Sequence, residues 1–404
     1  MIIFIILVQI IFIIAFPYIF FKFKGTELKQ RLGYFNKDFQ NSIWVHAASV
    51  GEVNAAKPLI KALLLKHPHK KYVFTTMTST GQETAKQIDD RIFTSFLPFD
   101  CFLMMKRFFK RINPELIILV ETEFWPHMLW LAKMRKIPVV IVNGRISDKS
   151  YPLYKRFSFF WKPLWKTISA VNAQSEKDKN RFLTFKFQNV INTHNLKFCM
   201  QLPDFEKNKI RKEFGLAKKD FAIVWGSSRP GEEKLLKSIY QKLNNKIKNL
   251  KVIIVPRHLY RLQEITEIFD DLDYQLYSDL KEDFKILIIN QMGILTKMYA
   301  IADIAIVGGS FFDFGGHNPL EPAFYKTPII MGEHFFSCRD SVSKLLKNKG
   351  ILISTIERLF EDISFLYQNE KARENLGINA KRTLQENSDS LQKNLEVLER
   401  YVSH

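Results

Sequence analysis

Cysteine is scarce. The chain of 404 residues has three, Cys101, Cys199 and Cys338, far apart and never in a Cys-x-x-Cys pair. That excludes a disulfide framework and a cysteine zinc site, and it suits a reducing compartment. Acidic residues are scarce in the first half. Residues 1–200 hold 30 basic and 13 acidic side chains, a net +17, whereas residues 201–404 hold 30 and 28, a net +2. So uneven a balance excludes a neutral front half and points it toward something anionic. Charge is absent altogether from residues 1–21. No basic residue precedes that apolar run and no Ala-x-Ala-like site follows it, which excludes a cleaved signal peptide. No internal sequence repeat is visible.

What is present is ample for packed cores: 47% apolar and 25% charged residues, over a length that suits two domains. Residues 1–21 are about long enough to cross a bilayer. Lys22, Lys24, Lys29 and Arg31 follow at once, and the positive-inside rule then puts the rest of the chain in the cytoplasm. Pro17 leaves open a helix that enters one leaflet only. The expectation is a single-pass anchor at 1–21, then a linker over 22–40.

From there short apolar runs alternate with helical patterns. Runs at 42–47, 72–76, 116–120, 139–142, 168–173 and 190–193 read as strands of a first domain, 41–195. A linker over 196–206 follows. Runs at 221–225, 251–255, 284–289, 304–307 and 327–331 read as strands of a second domain, 207–375, with a C-terminal helix over 376–404. Nearly every polar or glycine-rich cluster sits just after such a run. Ligands of open parallel sheets bind beyond the carboxyl ends of the strands. The expected fold class is α/β of the GT-B type: two Rossmann-like domains facing a central cleft, behind an N-terminal membrane helix.

The densest cluster is IAIVGGSFFDFGGHNPLEP, residues 304–322. Gly308 and Gly309 let the backbone turn and approach a ligand, and Gly315 and Gly316 repeat that permission. His317, Asn318 and Pro319 look like a helix start, with Asn318 as the cap. A glycine loop opening a helix offers free N–H groups to a phosphate, and Glu321, in the first turn, suits ribose hydroxyls. A tight strand–helix turn with its own caps gives the same pattern. Glu52 is similarly double. Its spacing from Ser49 is that of a capping box, yet a carboxylate at a strand end beside Gly51 also suits a general base. Glu121 and Glu123 favour either a helix dipole or a DxD-like metal pair, but no further ligand cluster accompanies them. The aromatic and basic stretch 151–166 suits a membrane interface or an amphipathic helix covering its own core. A single-strand nucleic-acid platform would look alike, but the upstream apolar segment argues for lipid instead.

HAASVGE (46–52), ETEFWPH (121–127), NGRISDKSY (143–151), NLKF (195–198), VPRH (255–258) and VGGS…GGHNPLEP (307–322) together resemble the 3-deoxy-D-manno-octulosonic acid (Kdo) transferases. The likeness runs in order over most of the chain. It implies a metal-independent, inverting glycosyltransferase without cofactor, moving Kdo from CMP-Kdo to a lipid A precursor (lipid IVA) at the anionic inner membrane. On it, Glu52 matches the general base, and Glu121 and Lys197 match residues that stabilise the transition state. Pro256, Arg257, Met292, Gly293, Ile294, Asn318, Pro319, Leu320 and Glu321 match stretches that hold the donor. Lys197 suits the phosphate or the sugar carboxylate, and Glu121 a positive centre or the orientation of Lys197. The chain departs from the family pattern at Ile294 (usually Glu), His127 (Asn), His194 (Gly), Arg229-Pro230 (Thr-His) and Ser337 (Asn). The alternative is another GT-B envelope glycosyltransferase with a UDP-sugar donor.

Overall fold

The computed structural model describes residues 2–281 and 283–402, and within the first helix the side chains of residues 5–14, 16, 17 and 22. The chain divides into two compact domains. One takes the residues up to Met200 together with those from Asn387 onward; the other is Gln201–Glu386.

The N-terminal domain is built on seven parallel strands. They are β1 (Ser42–His46), β2 (Lys71–Thr76), β3 (Ile92–Phe96), β4 (Pro114–Val120), β5 (Val139–Gly144), β6 (Ala170–Ala173) and β7 (Val190–Asn192), in the order β3-β2-β1-β4-β5-β6-β7. Side chains alternate across the sheet, as a period of two demands. Trp44, Ile117 and Leu119 enter one core with Phe108, Phe109 and Leu129. Ile43, Val45, Leu116, Ile118 and Val120 enter the other with Leu59, Leu63 and Leu398. Both faces are covered, so the strands read as continuous apolar runs, and each buried aliphatic side chain stabilises by about 1.5–3 kcal/mol. The order reverses between β1 and β4, which makes their carboxyl ends the switch point where ligands bind.

The C-terminal domain repeats the plan. Its strands are β8 (Phe221–Ser228), β9 (Leu250–Pro256), β10 (Tyr274–Leu276), β11 (Ile286–Ile288), β12 (Ile304–Val307), β13 (Ile329–Met331) and β14 (Leu352–Ile353). Their order is β10-β11-β9-β8-β12-β13-β14, all parallel, with the switch point between β8 and β12.

The tail differs from the single helix expected over 376–404. One helix ends at Glu386 and a second spans Ser390–Glu399. The second lies on the N-terminal sheet. Leu395 and Leu398 join its core, Asn172 Nδ2 donates to Asn394 Oδ1 at 2.9 Å, and the Tyr401 hydroxyl donates to the Ser169 carbonyl. The stretch 151–166 forms two helices, Ser150–Arg156 and Ser158–Trp165. Tyr151, Tyr154, Trp161, Leu164 and Trp165 pack on the domain's own core, which is the core-covering reading.

The expected membrane anchor does not stand. Among the described residues no helix is long and apolar enough to cross a membrane. The first helix, Ile2–Lys22, turns one face to the N-terminal domain. Ile5 is buried in that core, Gln9 Oε1 accepts the Phe102 N–H at 3.0 Å, and Phe12 meets the Phe99 ring at 5.7 Å. Side chains committed to the domain are not facing lipid. The single-pass inner-membrane placement is therefore corrected, and with it the cytoplasmic orientation of the catalytic domains inferred from Lys22, Lys24, Lys29 and Arg31.

Candidate active site

In the N-terminal domain three expected residues meet beyond the switch point. β1 runs into Ser49, whose hydroxyl accepts the Glu52 N–H and starts the helix Val50–Lys66. The Ser49 hydroxyl in turn donates to Glu52 Oε1 at 2.8 Å, and the Ala48 N–H donates to Oε2 at 2.7 Å. Glu52 is thus a helix cap in fact. It is also half-buried beside two further acids. Burial, then the charge of Glu121, then that of Glu123 raise its pKa to about 7, against the pull of the Ala48 and Ser49 hydrogen bonds. A cap alone needs no such environment; a base working near neutrality does.

Glu121 follows β4 with φ +61°, a left-handed conformation that a residue with Cβ adopts only under constraint. Its N–H donates to the Val142 carbonyl, and the neighbouring Thr122 hydroxyl donates to the Arg145 carbonyl, so the loop is tied to β5. Lys197 Nζ lies 3.9 Å from Glu121 Oε1. Lys197 is held from the same strand end: Asn143 Oδ1 accepts the Leu196 N–H and Asn195 Oδ1 accepts the Lys197 N–H, each at 3.0 Å. Three sequence clusters separated by tens of residues therefore converge on one Glu–Lys pair. Glu123 lies 3.8 Å from Nε2 of the buried His46. His127, in place of the usual Asn, is buried with Nδ1 3.4 Å from Asp100 Oδ2.

In the C-terminal domain the glycine loop departs from expectation. Its N–H groups are not free. Gly309, Ser310 and Phe311 donate to the carboxylate of Glu232, which also takes the Arg229 N–H, at 2.8–3.2 Å. Gly308 donates to Gly226, Gly316 to Gly309 and His317 to Gly308. The helix that follows is five residues long, Leu320–Phe324, too short for much of a dipole. The phosphate cradle read from the sequence is thus filled from within by a buried carboxylate. Burial raises the pKa of Glu232 against the pull of those four N–H donors. Glycine is still required here, since a Cβ on Gly308 would come within 2.5 Å of the Ser227 carbonyl oxygen.

The remaining donor candidates divide by exposure. Pro256, Pro319 and Leu320 are buried, and Ile294 sits in an apolar core, so their side chains are closed to a ligand. Met292 is exposed, Gly293 is open with φ +83°, and Arg257 is exposed. Asn318 Oδ1 accepts the Leu320 N–H. Burial raises the pKa of the half-buried Glu321, which the Asn318 side chain and the Arg257 charge oppose.

The model of the family described as 3-deoxy-D-manno-octulosonic-acid transferase (kdotransferase) matches residues 26–200. A 3-deoxy-D-manno-octulosonic acid transferase of Haemophilus influenzae is 33% identical over 390 residues, spanning 93% of this chain and 91% of that one. The chain belongs to the Kdo transferase family. A bifunctional glycosyltransferase/methyltransferase of Fusobacterium nucleatum is 35% identical over 364 residues, which are 86% of this chain and 56% of that one. Among solved structures, UDP-GlcNAc 2-epimerase from Neisseria meningitidis matches with a TM-score of 0.63 at 14% identity, over 89% of this chain and all of that one. At that identity the likeness is one of fold, two parallel-sheet α/β domains of the GT-B class.

Sequence reasoning missed Glu232, which takes the N–H groups of the glycine loop. Its signal was present in GEE after β8, but two acids opening a helix read as ordinary first-turn residues. His194, where the family usually has glycine, adopts φ +64°, which explains the usual choice. His194 pairs instead with Asp389, Nδ1 to Oδ1 at 3.1 Å.

Proposed function

We propose that the protein transfers Kdo from CMP-Kdo to a lipid A precursor such as lipid IVA, in one inverting displacement that needs no metal. The observation that carries this reading is Glu52, a half-buried carboxylate titrating near neutrality beside the Lys197–Glu121 pair, in a chain of this family. Glu52 takes the proton of the acceptor hydroxyl as the acceptor oxygen bonds to the anomeric carbon. The bond from that carbon to the phosphate oxygen breaks, and CMP leaves with its electron pair. The anomeric carbon passes through an oxocarbenium-like state, and a positioned base is worth about 10²–10⁴-fold. Lys197 faces the negative charge of the donor, and the 3.9 Å approach of Glu121 favours an orienting role for that carboxylate. Arg257, Met292, Gly293, Asn318 and Glu321 hold the CMP part, with the backbone at Pro256, Ile294, Pro319 and Leu320 shaping the pocket. The phosphorylated acceptor, carried on an anionic lipid surface, suits the net +17 of residues 1–200.

The test is to supply CMP-Kdo and a tetra-acylated lipid A precursor to the purified protein. Release of CMP, a lipid product heavier by Kdo units and an inverted anomeric centre by NMR are expected. Binding of a UDP-sugar without binding of CMP-Kdo would overturn the donor assignment. Full turnover in Glu52→Gln would reduce Glu52 to its capping role.

A further inference from the structure

With the N–H groups of Gly308, Gly309, Ser310, Phe311, Gly316 and His317 already bonded, an anion bound near β12 is met chiefly by side chains. Four basic or imidazole groups gather there. Arg229 NH1 lies 2.7 Å from His258 Nε2, and its guanidinium stands 5.0 Å from the Phe314 ring centre. A Cβ on Gly309 would lie 3.1 Å from His317 Nε2 and 3.5 Å from Arg229 Cγ, so these two residues flank the same glycine. Arg229 Nε and His317 Nε2 are both buried without a hydrogen-bond partner. Arg257 follows β9, its N–H donating to the Ser228 carbonyl. Its side chain is exposed and makes no hydrogen bond or ion pair among the described residues.

The nearby acids do not neutralise this group. Glu232 is saturated by four N–H donors. Glu233 is held by both terminal nitrogens of Arg261 and by the Ser228 hydroxyl. Glu321 is paired to the Asn318 side chain. Burial and the charges of Arg257 and Arg229 hold His317 down to about 4, and burial with the charges of Arg229, Arg257 and Arg261 lowers His258. The imidazoles are thus neutral at pH 7, Arg229 makes no ion pair among the described residues, and Arg257 is opposed by the half-buried Glu321 alone. A buried guanidinium N–H and a buried imidazole nitrogen without partners, beside cations with so little counter-charge, are expensive to maintain unless a ligand completes them.

We propose that Arg229 and Arg257, with His258 and His317, form an oxyanion-binding cradle in the C-terminal domain, and that Arg229 binds the anionic group of the donor directly. This deepens the donor reading above and rests on it for the ligand's identity. The shared chemistry is an oxyanion with two sources in CMP-Kdo, the phosphate and the sugar carboxylate. Arg229 stands where the family commonly has Thr-His, so the contact would be this chain's own solution. A guanidinium suits either group, because its planar fork of donors matches an oxyanion.

Calorimetry at low salt on the full chain tests it, with CMP, cytidine, Kdo, CMP-Kdo and inorganic pyrophosphate as probes. Arg229→Met is expected to weaken CMP about ten- to a hundredfold and leave cytidine unchanged, since a charge-assisted bond is lost. Arg229→Lys should recover part of it. If Kdo weakens and CMP does not, the cradle stands and the carboxylate is its source. If the wild type binds pyrophosphate, and loses it in Arg229→Met, but never binds CMP or CMP-Kdo, the cradle stands and the donor reading fails. Equal affinities for every anion in wild type and folded Arg229→Met overturn the proposal, as does a wild type that binds none of them. Arg257→Met, which breaks no side-chain hydrogen bond or ion pair among the described residues, guards against a folding defect. Losses in the two single variants that add up independently in the double variant would also overturn a shared cradle.

Discussion

The titration of Glu52 is the most exposed point of the mechanism. A rise from 4.5 to about 7 is worth about 3 kcal/mol of preference for the neutral acid. At pH 7 about half of Glu52 is ionised, at pH 6 about a tenth and at pH 5 about a hundredth. If Glu52 is the base, kcat/KM falls about tenfold for each pH unit below 6 and is flat above 8. The causes give signs to the variants. Glu121→Gln removes the largest charge contribution and moves the titration to lower pH; Glu123→Gln moves it the same way by less. Ser49→Ala removes a hydrogen bond that favours the ionised form and moves it up. Stability follows by linkage. The folded state keeps the proton up to about pH 7, while the unfolded chain releases it near 4.5. The contribution is therefore fully present below pH 4.5 and lost as pH rises through 7. Glu52→Gln should accordingly unfold at a higher temperature than the wild type at pH 8 and at about the same temperature at pH 5. The assay is a carboxyl-carbon NMR titration, with the Glu52 resonance assigned by its absence in Glu52→Gln, alongside the pH–rate profile. A midpoint near 4.5, or one that stays put in Glu121→Gln, refutes the reasoning.

Other expectations can be checked alongside. Glu232→Gln turns an amide toward backbone N–H groups and should destabilise the chain by about 3 kcal/mol, seen as a lower urea midpoint; a loss under 1 kcal/mol means that the loop holds itself. At position 194 the backbone strain persists in His194→Ala but is relieved in His194→Gly. The glycine variant should be more stable than the alanine variant by about 1 kcal/mol, and equal urea midpoints would show that φ +64° is not strained. Asn143→Ala frees the Leu196 N–H and loosens Lys197, so kcat should fall with little change in donor KM; unchanged kcat removes Asn143 from the support of the site. Raising salt from 0.02 to 0.2 M shortens screening to about 7 Å and should raise the KM for a phosphorylated lipid acceptor, read from initial rates. A salt-insensitive KM would detach the positive front half from acceptor binding.

The parts of this fold that were legible share a short range. Apolar runs such as Ile117–Val120 and Ile304–Val307 announce strands because both faces of each sheet are covered. Polar clusters after them announce the site because parallel sheets bind at strand ends. The Ser49–Glu52 cap was visible as a spacing of three. The first helix was misjudged because composition alone does not reveal whether an apolar face meets lipid or its own domain: Ile5 and Gln9 look alike in either setting. The tail was misjudged because Leu395 and Leu398 find their partners more than 300 residues back, on the helix that carries Leu59 and Leu63. Only the local part of that break, the polar turn residues Asn387-Ser388-Asp389, was open to reading.

The glycine loop shows why a motif can mark a turn and misjudge its contacts. Gly308 is needed, but for the Ser227 carbonyl beside it rather than for a ligand. Glu232, 77 residues earlier than Gly309, supplies the acceptor that the loop's N–H groups call for, and so fixes the loop without a ligand. A backbone nest gives the same contacts whatever side chains it carries. On the proposal above, recognition of the donor's negative charge then passes to side chains, which substitution can change one at a time. That is the setting in which Arg229 can replace what relatives place there without disturbing the fold. It is also why His317, neutral and wedged against Gly309, needs to be read with the two arginines and not as a helix start.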